Sequence, residues 1–384
     1  MHSTRLWVLS FVQPCLSATF AGKQYGLMEL KLDTYVPQSV MFSSEISTLV
    51  YSTDLEKIVV EIYIPSANYA HLLNTTLYAI DGKVTLYDVK ELVEQYMRDK
   101  KIAYLEFGVE VYNEGGEVVI ITAFKVLFCS FKPTLSATTY TRFNFLTSQR
   151  AKLLDFFVCY EDDLLYYAEY GEDTSYTLTF VYTTKGGETL TEQRYFNSSA
   201  TKTGIHSVYF DFFEYYSTYQ DEKGALLKAI TCKMKNRMFT YYLTEKAPDL
   251  YFRFYNAFNH RDFIPLYGKT TTKMKTQKSE AVCGGETAYY DCNSEKLYEF
   301  ESERLTPDMM QWLEELLTSH YVTKNGSASS KVLITDYTFE VADDDTEKYI
   351  AKFTWKYADN RLTLEKPYEG NAKVFTQQFK DTFQ

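Results

Sequence analysis

The strongest constraint on this chain is a series of strand-length segments that recurs from one end to the other. "KIVVEIYI" (57–64), "IAYLEFGVEVY" (102–112) and "EVVIITAFKVLFCSF" (117–131) alternate or run apolar over the length of a β-strand. "SYTLTFVYTT" (175–184), "ETLTEQRYF" (188–196) and "IHSVYFDFFEYY" (205–216) follow. The final third adds "KLYEFES" (296–302), "KVLITDYTFEV" (331–341) and "KYIAKFTWKYA" (348–358). Between such runs Gly-Gly-Glu occurs three times, at 115–117, 186–188 and 284–286. Adjacent glycines accept the positive φ values of tight turns, so each copy reads as a hairpin connection. The 35 Tyr and 27 Phe among 384 residues point the same way, because aromatic side chains suit the pleated, half-buried face of a sheet.

Two segments break this pattern. Over 89–100, "VKELVEQYMRDK", Val89, Leu92, Val93, Tyr96 and Met97 fall on one helical face, with Asp88 as the expected cap. A second helix is expected over 306–319, with Thr306 as cap, Pro307 in the first position and Asp308 in the first turn. Leu305 and Met310 are spaced as a hydrophobic staple, and Met309, Leu313, Leu316 and Leu317 continue the apolar face. The expected fold is therefore mainly β: successive β-sandwich-like modules with two amphipathic helices packed on sheets. Faint changes of texture divide it into an N-terminal β-sandwich with one helix (1–135), a central β module (136–255) and a C-terminal β module with the capped helix (256–384).

Charge narrows the partners. The net charge is −11 with acidic and basic residues interspersed, and no Lys/Arg stripe is present to neutralise phosphates, which argues against nucleic acid. No apolar run approaches the ~20 residues of a membrane-spanning helix. At the N-terminus Arg5 precedes "LWVLSFV", a short apolar core that Gln13 and Pro14 interrupt before any cleavage site. Residues 1–22 thus read as a signal peptide, an extension or a misassigned start.

Chemical signatures are sparse. The chain lacks His-Glu-x-x-His, Gly-x-Ser-x-Gly and a phosphate-cradling Gly-rich loop. His260-Arg261-Asp262 matches the opening of a kinase catalytic loop, but Tyr267 stands where its asparagine belongs, and the match reads as chance. The histidines at 2, 71, 206, 260 and 320 are not paired at ligand spacing. The acidic run Asp343-Asp344-Asp345 lacks the spacing of a calcium loop and reads as a solvated hairpin tip. No catalytic, cofactor-binding or metal-ligating residue is assigned, and a non-enzymatic role is expected.

The six cysteines (15, 129, 159, 232, 283 and 292) are spread too widely for a disulfide scaffold and read as buried free thiols. The most site-like stretch is "AVCGGETAYYDC" (281–292). With a two-residue turn at Gly284-Gly285, Cys283 faces Glu286 and Cys292 faces Gln277. At ~3.3 Å per residue this holds the two cysteines about 20 Å apart, beyond disulfide or metal-ligand reach.

One resemblance emerges from longer stretches. "NAFNHRDFIPLYGKTTTKMKTQKSEAVCGGETAYYD" leads to "YEFESERLTPDMMQWLEELLTSHYV" and then to "KVLITDYTFEVADDDTEKYIAKFTWKYADNR". Near the start, "KIVVEIYIPSANYAHLLNTTLYAIDGKVTLYDVKELVEQYMRD" precedes "GGEVVIITAFKVLFCSF". This order of hairpins, a capped helix and a closing hairpin resembles tail proteins of phages and prophages of Bacteroidetes gut bacteria. The likeness spans most of residues 40–365 and rests on texture, without a catalytic motif; residues 1–35 depart from it. It implies a virion structural protein of the tail tip, a distal-tail or baseplate component made in the host cytoplasm. Such a protein would form an oligomeric ring and contact neighbouring tail proteins. Two other readings compete: an exported adhesin whose aromatic platforms stack on glycans, and a glycoside hydrolase with two carboxylates in a deep cleft.

Overall fold

The computed structural model describes residues 30–67, 69–155, 161–324, 330–341 and 349–359. The possible export segment, Cys15, Cys159, His2 and Asp343–Asp345 lie outside these residues. The chain is mainly β, with several sheets covered in part by short helices.

In the N-terminal third a five-stranded sheet runs in the order Met41–Phe42, Val118–Leu127, Tyr104–Tyr112, Lys57–Ile64, Ala70–Tyr78. A small sheet of Lys31–Leu32, Leu49–Ser52 and Lys83–Leu86, together with helix α1 (Val89–Lys100), covers its inner face. Strict alternation along Lys57–Ile64 explains the layering, since Ile58, Val60, Ile62 and Ile64 are all buried while their neighbours are not. α1 contributes Val89, Val93 and Met97 to the same core, with Leu92 and Tyr96 half-buried beside them. Its expected cap is not made. Asp88 takes a left-handed conformation (φ 61°), which turns its carboxylate away from the helix, and only its carbonyl accepts the Leu92 N–H at 3.1 Å.

The central third holds a second five-stranded sheet, in the order Thr189–Phe196, Tyr176–Thr184, Ala225–Met234, Arg237–Thr244, Ala151–Asp155, and a two-stranded pair, Glu161–Ala168 with Gly204–Asp211. A seven-stranded sheet follows: Arg261–Leu266, Leu250–Tyr255, Val322–Lys324, Lys331–Val341, Tyr349–Tyr357, Glu286–Ser302, Gly268–Cys283. One apolar core runs from Phe145 to Trp355 and serves both of these regions. The position 255/256 falls between Leu250–Tyr255 and Arg261–Leu266, two strands that pair with each other. Pro265 is accommodated because its strand is a sheet edge.

Helices number four among the described residues, where the sequence pattern predicts two. α2 (Ala137–Phe143) is capped by the Ser136 hydroxyl. α3 (Phe212–Ser217) occupies the end of the segment expected as strand 205–216. Asp211 stops the strand there, because its carboxylate accepts the Glu214 N–H at 2.8 Å and starts a helical turn. α4 (Pro307–Thr318) forms as anticipated: the Thr306 hydroxyl accepts the Met309 N–H at 3.3 Å, and Leu305, Met310, Leu313 and Leu316 are buried.

All three Gly-Gly-Glu segments join antiparallel strands, by two devices. At 113–117 and 184–188 the Gly116 and Gly187 N–H groups reach back to the Asn113 and Thr184 carbonyls at 3.0 and 2.9 Å. In each case the second glycine is left-handed (φ 78° and 83°). At 284–285 both glycines have positive φ (64° and 89°), as a two-residue turn requires. No atom lies within 4 Å of a Cβ built on either, so the demand there is conformational rather than steric.

Candidate interaction surfaces and a buried ionic cluster

The third hairpin is far longer than its sequence signal. Gly268–Cys283 and Glu286–Ser302 pair from Gly268↔Ser302 out to Cys283↔Glu286, but Glu286–Ser302 meets Tyr349–Tyr357 only over Tyr298–Glu301. The base is firmly seated: Tyr298 stacks on Trp355 with ring centroids 4.2 Å apart, Phe300 packs on Phe353, and Lys356 pairs with Glu295. Beyond it extends a two-stranded ribbon that pairs with no third strand among the described residues, about eleven residues per strand and roughly 35 Å at ~3.3 Å per residue. A bulge between Ser279 and Glu280 shifts the register by one, so Cys292 stands opposite Lys278 rather than the expected Gln277. Cys283 faces Glu286 as the turn demands.

The ribbon's two faces differ in composition. Lys269, Thr271, Lys273 and Lys275 share one face with Glu299 and Glu301, and Lys273 forms an ion pair with Glu299 at 2.5 Å. The opposite face presents Thr270, Thr272, Met274, Thr276 and Val282 with Tyr289, Glu280, Lys296 and Lys278, whose ammonium lies 4.7 Å from the Tyr289 ring centroid. Met274 (61%), Val282 (74%), Tyr289 (60%) and Tyr290 (72%) stand in solvent, a concentration of apolar area that a free surface seldom carries.

Two sheet faces are also open. On the central sheet the outward ranks read Tyr195–Thr177–Lys233–Met238, Gln193–Thr179–Thr231–Thr240 and Thr191–Val181–Ala229–Tyr242. Tyr195, Met238 and Tyr242 are exposed, and Lys233 is the single charge in these three ranks. The N-terminal sheet is different. Its outward rank Asn74–Glu61–Glu110–Ile121 sets two carboxylates directly opposite one another, an unfavourable pairing in itself. The Tyr112 hydroxyl sits between them, 2.6 Å from Glu110 and 3.1 Å from Glu61. Tyr63 lies over Gly108, where a Cβ would come within 2.4 Å of its ring, and stacks on Tyr69.

At the heart of the molecule lies a cluster with no signature in the sequence. Lys152, Asp162, Tyr241 and Asp262, from four separate strands, are all buried. The Lys152 ammonium reaches Asp262 at 2.7 Å and Asp162 at 3.3 Å; Tyr241 donates to Asp162 at 2.9 Å, and the Phe263 N–H to Asp262 at 2.7 Å. Burial alone would lower the Lys152 pKa, but the two aspartates overcome it and hold the ammonium charged. Asp162 sits above the ordinary carboxylate range because its burial outweighs the attraction of Lys152. Both carboxylates are held on one ammonium, and the cluster ties sheets together.

His260 and Asp262, the apparent kinase-like fragment, belong to this junction. The segment 256–260 is a stitch: Ala257 accepts from Ser130 N–H at 2.9 Å and donates to Glu315 at 2.7 Å, and His260 meets the Asp163 carbonyl at 3.2 Å. The Asn259 amide donates to the Met97 and Ile102 carbonyls at 2.7 and 2.9 Å, closing the C-terminal end of α1. Phe258 packs against Phe42 and Tyr140. Burial pushes Glu315 up to about 7, although the Ala257 N–H and the Ser148 hydroxyl donate to it.

The remaining histidines are separate: His71 lies 3.8 Å from Glu61, His206 stacks on Tyr166, and His320 lies beside Tyr255. Burial pushes the free thiols of Cys129 and Cys232 up to about 11 and about 12, away from nucleophilic reactivity. Among the described residues no group of three or more His, Cys, Asp or Glu side chains is placed to hold a metal ion. No described helix is long and apolar enough to cross a membrane.

No protein-family model matches the chain, and no curated protein matches it. Solved structures share only distant likeness. The calcium binding domain CBD12 of CALX1.1 is 9% identical, covers 54% of this chain and 79% of its own, and has a TM-score of 0.18. Trypsin-activated alpha-2-macroglobulin from Escherichia coli is 8% identical over 82% of this chain and 26% of its own, with a TM-score of 0.20. Dpr2 Ig1-Ig2 in complex with DIP-Theta Ig1-Ig3 is 9% identical over 86% and 90%, with a TM-score of 0.17. At such TM-scores none carries an argument about this chain.

Proposed function

We propose that this chain is a non-enzymatic structural protein of a phage tail tip or baseplate, assembling with copies of itself and with neighbouring tail proteins in the virion. The observation that carries the reading is the ribbon beyond Thr272 and Tyr298. An isolated two-stranded hairpin is marginal in water, and this one displays Met274, Val282, Tyr289 and Tyr290 to solvent. Apolar side chains on a projecting element favour a role in contact rather than in chemistry. The charged heart of the molecule supports the same view, because its carboxylates are spent on Lys152. Light scattering and electron microscopy of the full chain test the proposal. A closed ring of three-fold or six-fold symmetry is expected, and a monodisperse monomer that binds polysaccharide overturns it.

One observation favours the second reading, a glycan-binding adhesin: Tyr63, Tyr69 and Tyr112 share the open N-terminal face with Glu61 and Glu110. That reading expects polysaccharide binding by the wild type and its loss in Tyr63→Ala.

A further inference from the structure

We infer that Glu315 is a proton-dependent clasp: with its carboxyl proton in place it locks segment 256–260 against α4, and loss of that proton loosens the hold of the N-terminal third on the rest of the chain. This device is independent of the assembly reading above.

Hydrogen-bond partners count the proton. Glu315 is buried; its Oε2 accepts the Ala257 N–H at 2.7 Å, and its Oε1 meets the Ser148 hydroxyl. The neighbouring Gln149 amide is satisfied in one orientation. Its Nε2 then donates to the Asp308 carbonyl at 3.0 Å, and its Oε1 accepts from the Trp312 N–H at 3.2 Å and the Ser148 hydroxyl at 2.8 Å. Ser148 thus stands between two acceptors with a single proton to give. If Glu315 is ionised, one of those two contacts holds no proton and its oxygens face each other unbridged. If Glu315 is protonated, it donates to Ser148, Ser148 donates to Gln149, and every partner is satisfied. Burial acts in the same direction and lifts the Glu315 carboxyl to about 7.

Neighbouring charges leave that balance in place. Asp262 opposes ionisation of Glu315; Lys152 favours it but is bonded to Asp262 and Asp162. Cys129 and Tyr140 face Glu315 from the N-terminal side, and burial keeps both neutral. Glu94 and Glu45 act on Cys129, and Arg150 on Tyr140. Burial also holds His260 below its ordinary value. The sheet adds Phe252, Phe254 and Phe353 to the core shared with α4, none of them titratable, and on α4 itself Asp308 and Glu314 are exposed.

Ala257 transmits the change. Its carbonyl accepts the Ser130 N–H at 2.9 Å, the adjacent Phe258 packs on Phe42 and Tyr140, and Asn259 closes the end of α1. Release of the Ala257 N–H from Glu315 weakens all three together. Because the carboxyl binds its proton more tightly in the closed form, the clasp is fully closed below pH ~4.5 and its hold is lost as pH rises through 7.

Hydrogen exchange of the full chain tests this, read by mass spectrometry on peptides spanning 128–131 and 256–260 and corrected for the intrinsic rate at each pH. Opening is expected to rise about 40-fold from pH 5 to pH 7, the factor for one proton bound at about 7 when closed and 4.5 when open. It is also expected to exceed opening of the central strands Tyr176–Thr184 and Ala225–Met234. Glu315→Gln keeps both hydrogen bonds, its Nε2 donating to Ser148 and its Oε1 accepting from Ala257, so it is expected to fold and to change less than about 2-fold over that range. Infrared difference spectra of wild type minus Glu315→Gln at pH 6 are expected to show the carbonyl stretch of a protonated carboxylic acid. A flat wild-type profile, an equal slope in Glu315→Gln or absence of that acid band overturns the inference. So does opening that grows as pH falls, which would mark His260, and so does protection of 256–260 equal to that of the central strands, which would mark global unfolding.

Discussion

The buried junction around Lys152 and the projecting ribbon use similar side chains in opposite ways. At the junction Lys152, Asp162 and Asp262 are removed from water, and each charge has a partner within 3.3 Å. On the ribbon, lysines and glutamates remain in solvent, and so do the apolar side chains of Met274 and Val282. The first arrangement concerns how this chain holds itself; under the proposed function the second concerns what it meets. Residues of the junction should therefore report in melting experiments, whereas residues of the ribbon should report in association and leave the monomer's stability almost untouched.

The sharpest way to break that contrast is Lys152→Met. Removing the ammonium leaves two carboxylates in the interior, and stripping one partner from a buried ion pair typically costs ~3–5 kcal/mol. Urea denaturation should show a loss of that size; a change below ~1 kcal/mol would mean that the cluster is hydrated and the contrast false.

Glu315→Gln comes next and acts through pH. Burial lifts Glu315 to about 7 in the fold from the ordinary 4.5 of a glutamate, so between these values the folded chain binds more protons than the unfolded one. Its contribution to stability is full below pH ~4.5 and declines as pH rises through 7, by up to about 3 kcal/mol. The Gln variant should melt higher than wild type at pH 8 and lose most of that advantage at pH 5. The reverse order would refute a buried, proton-retaining carboxyl.

Asn259→Ala removes both side-chain hydrogen bonds to the end of α1; the Met97 carbonyl keeps the Ile102 N–H at 3.0 Å while the Ile102 carbonyl loses its Asn259 donor, for an expected loss of ~1–3 kcal/mol in urea denaturation. Hydrogen exchange should quicken first in α1. The smallest effect belongs to the ribbon: Cys283→Ser with Cys292→Ser should leave the melting midpoint within the ~0.5 kcal/mol typical of surface changes and leave assembly intact. Collapse of the fold in that double variant would erase the distinction between the two regions.

Which parts of this architecture can be read from sequence follows from range. Lys57–Ile64, Lys331–Val341 and α4 declare themselves because alternation, a Thr306 cap and a Leu305–Met310 staple are local signals. The three glycine turns declare themselves for the same reason. Asp88 misleads, since Asp is at home both as a cap and in the left-handed conformation it adopts. The helix after Asp211 is hidden because "FFEYY" is aromatic enough to extend a strand. The ribbon's hairpin is legible but its reach is not: polar alternation looks like ordinary strand, and only the lack of a third strand beyond Tyr298 among the described residues marks it as projecting. The ionic cluster is the least legible. Lys152, Asp162 and Asp262 follow no spacing rule, and it takes the assembled sheets to make neighbours of residues 110 positions apart.

The stitch at residues 256–260 also fixes an order of events during synthesis. The carbonyls of Met97 and Ile102 emerge from the ribosome 162 and 157 residues before Asn259, the side chain that closes them. At ~5–20 residues per second that interval is on the order of ten to thirty seconds. Throughout it the Ile102 carbonyl must make do with water and the Met97 carbonyl with the Ile102 N–H alone, so the end of α1 becomes final only once the last third of the chain arrives.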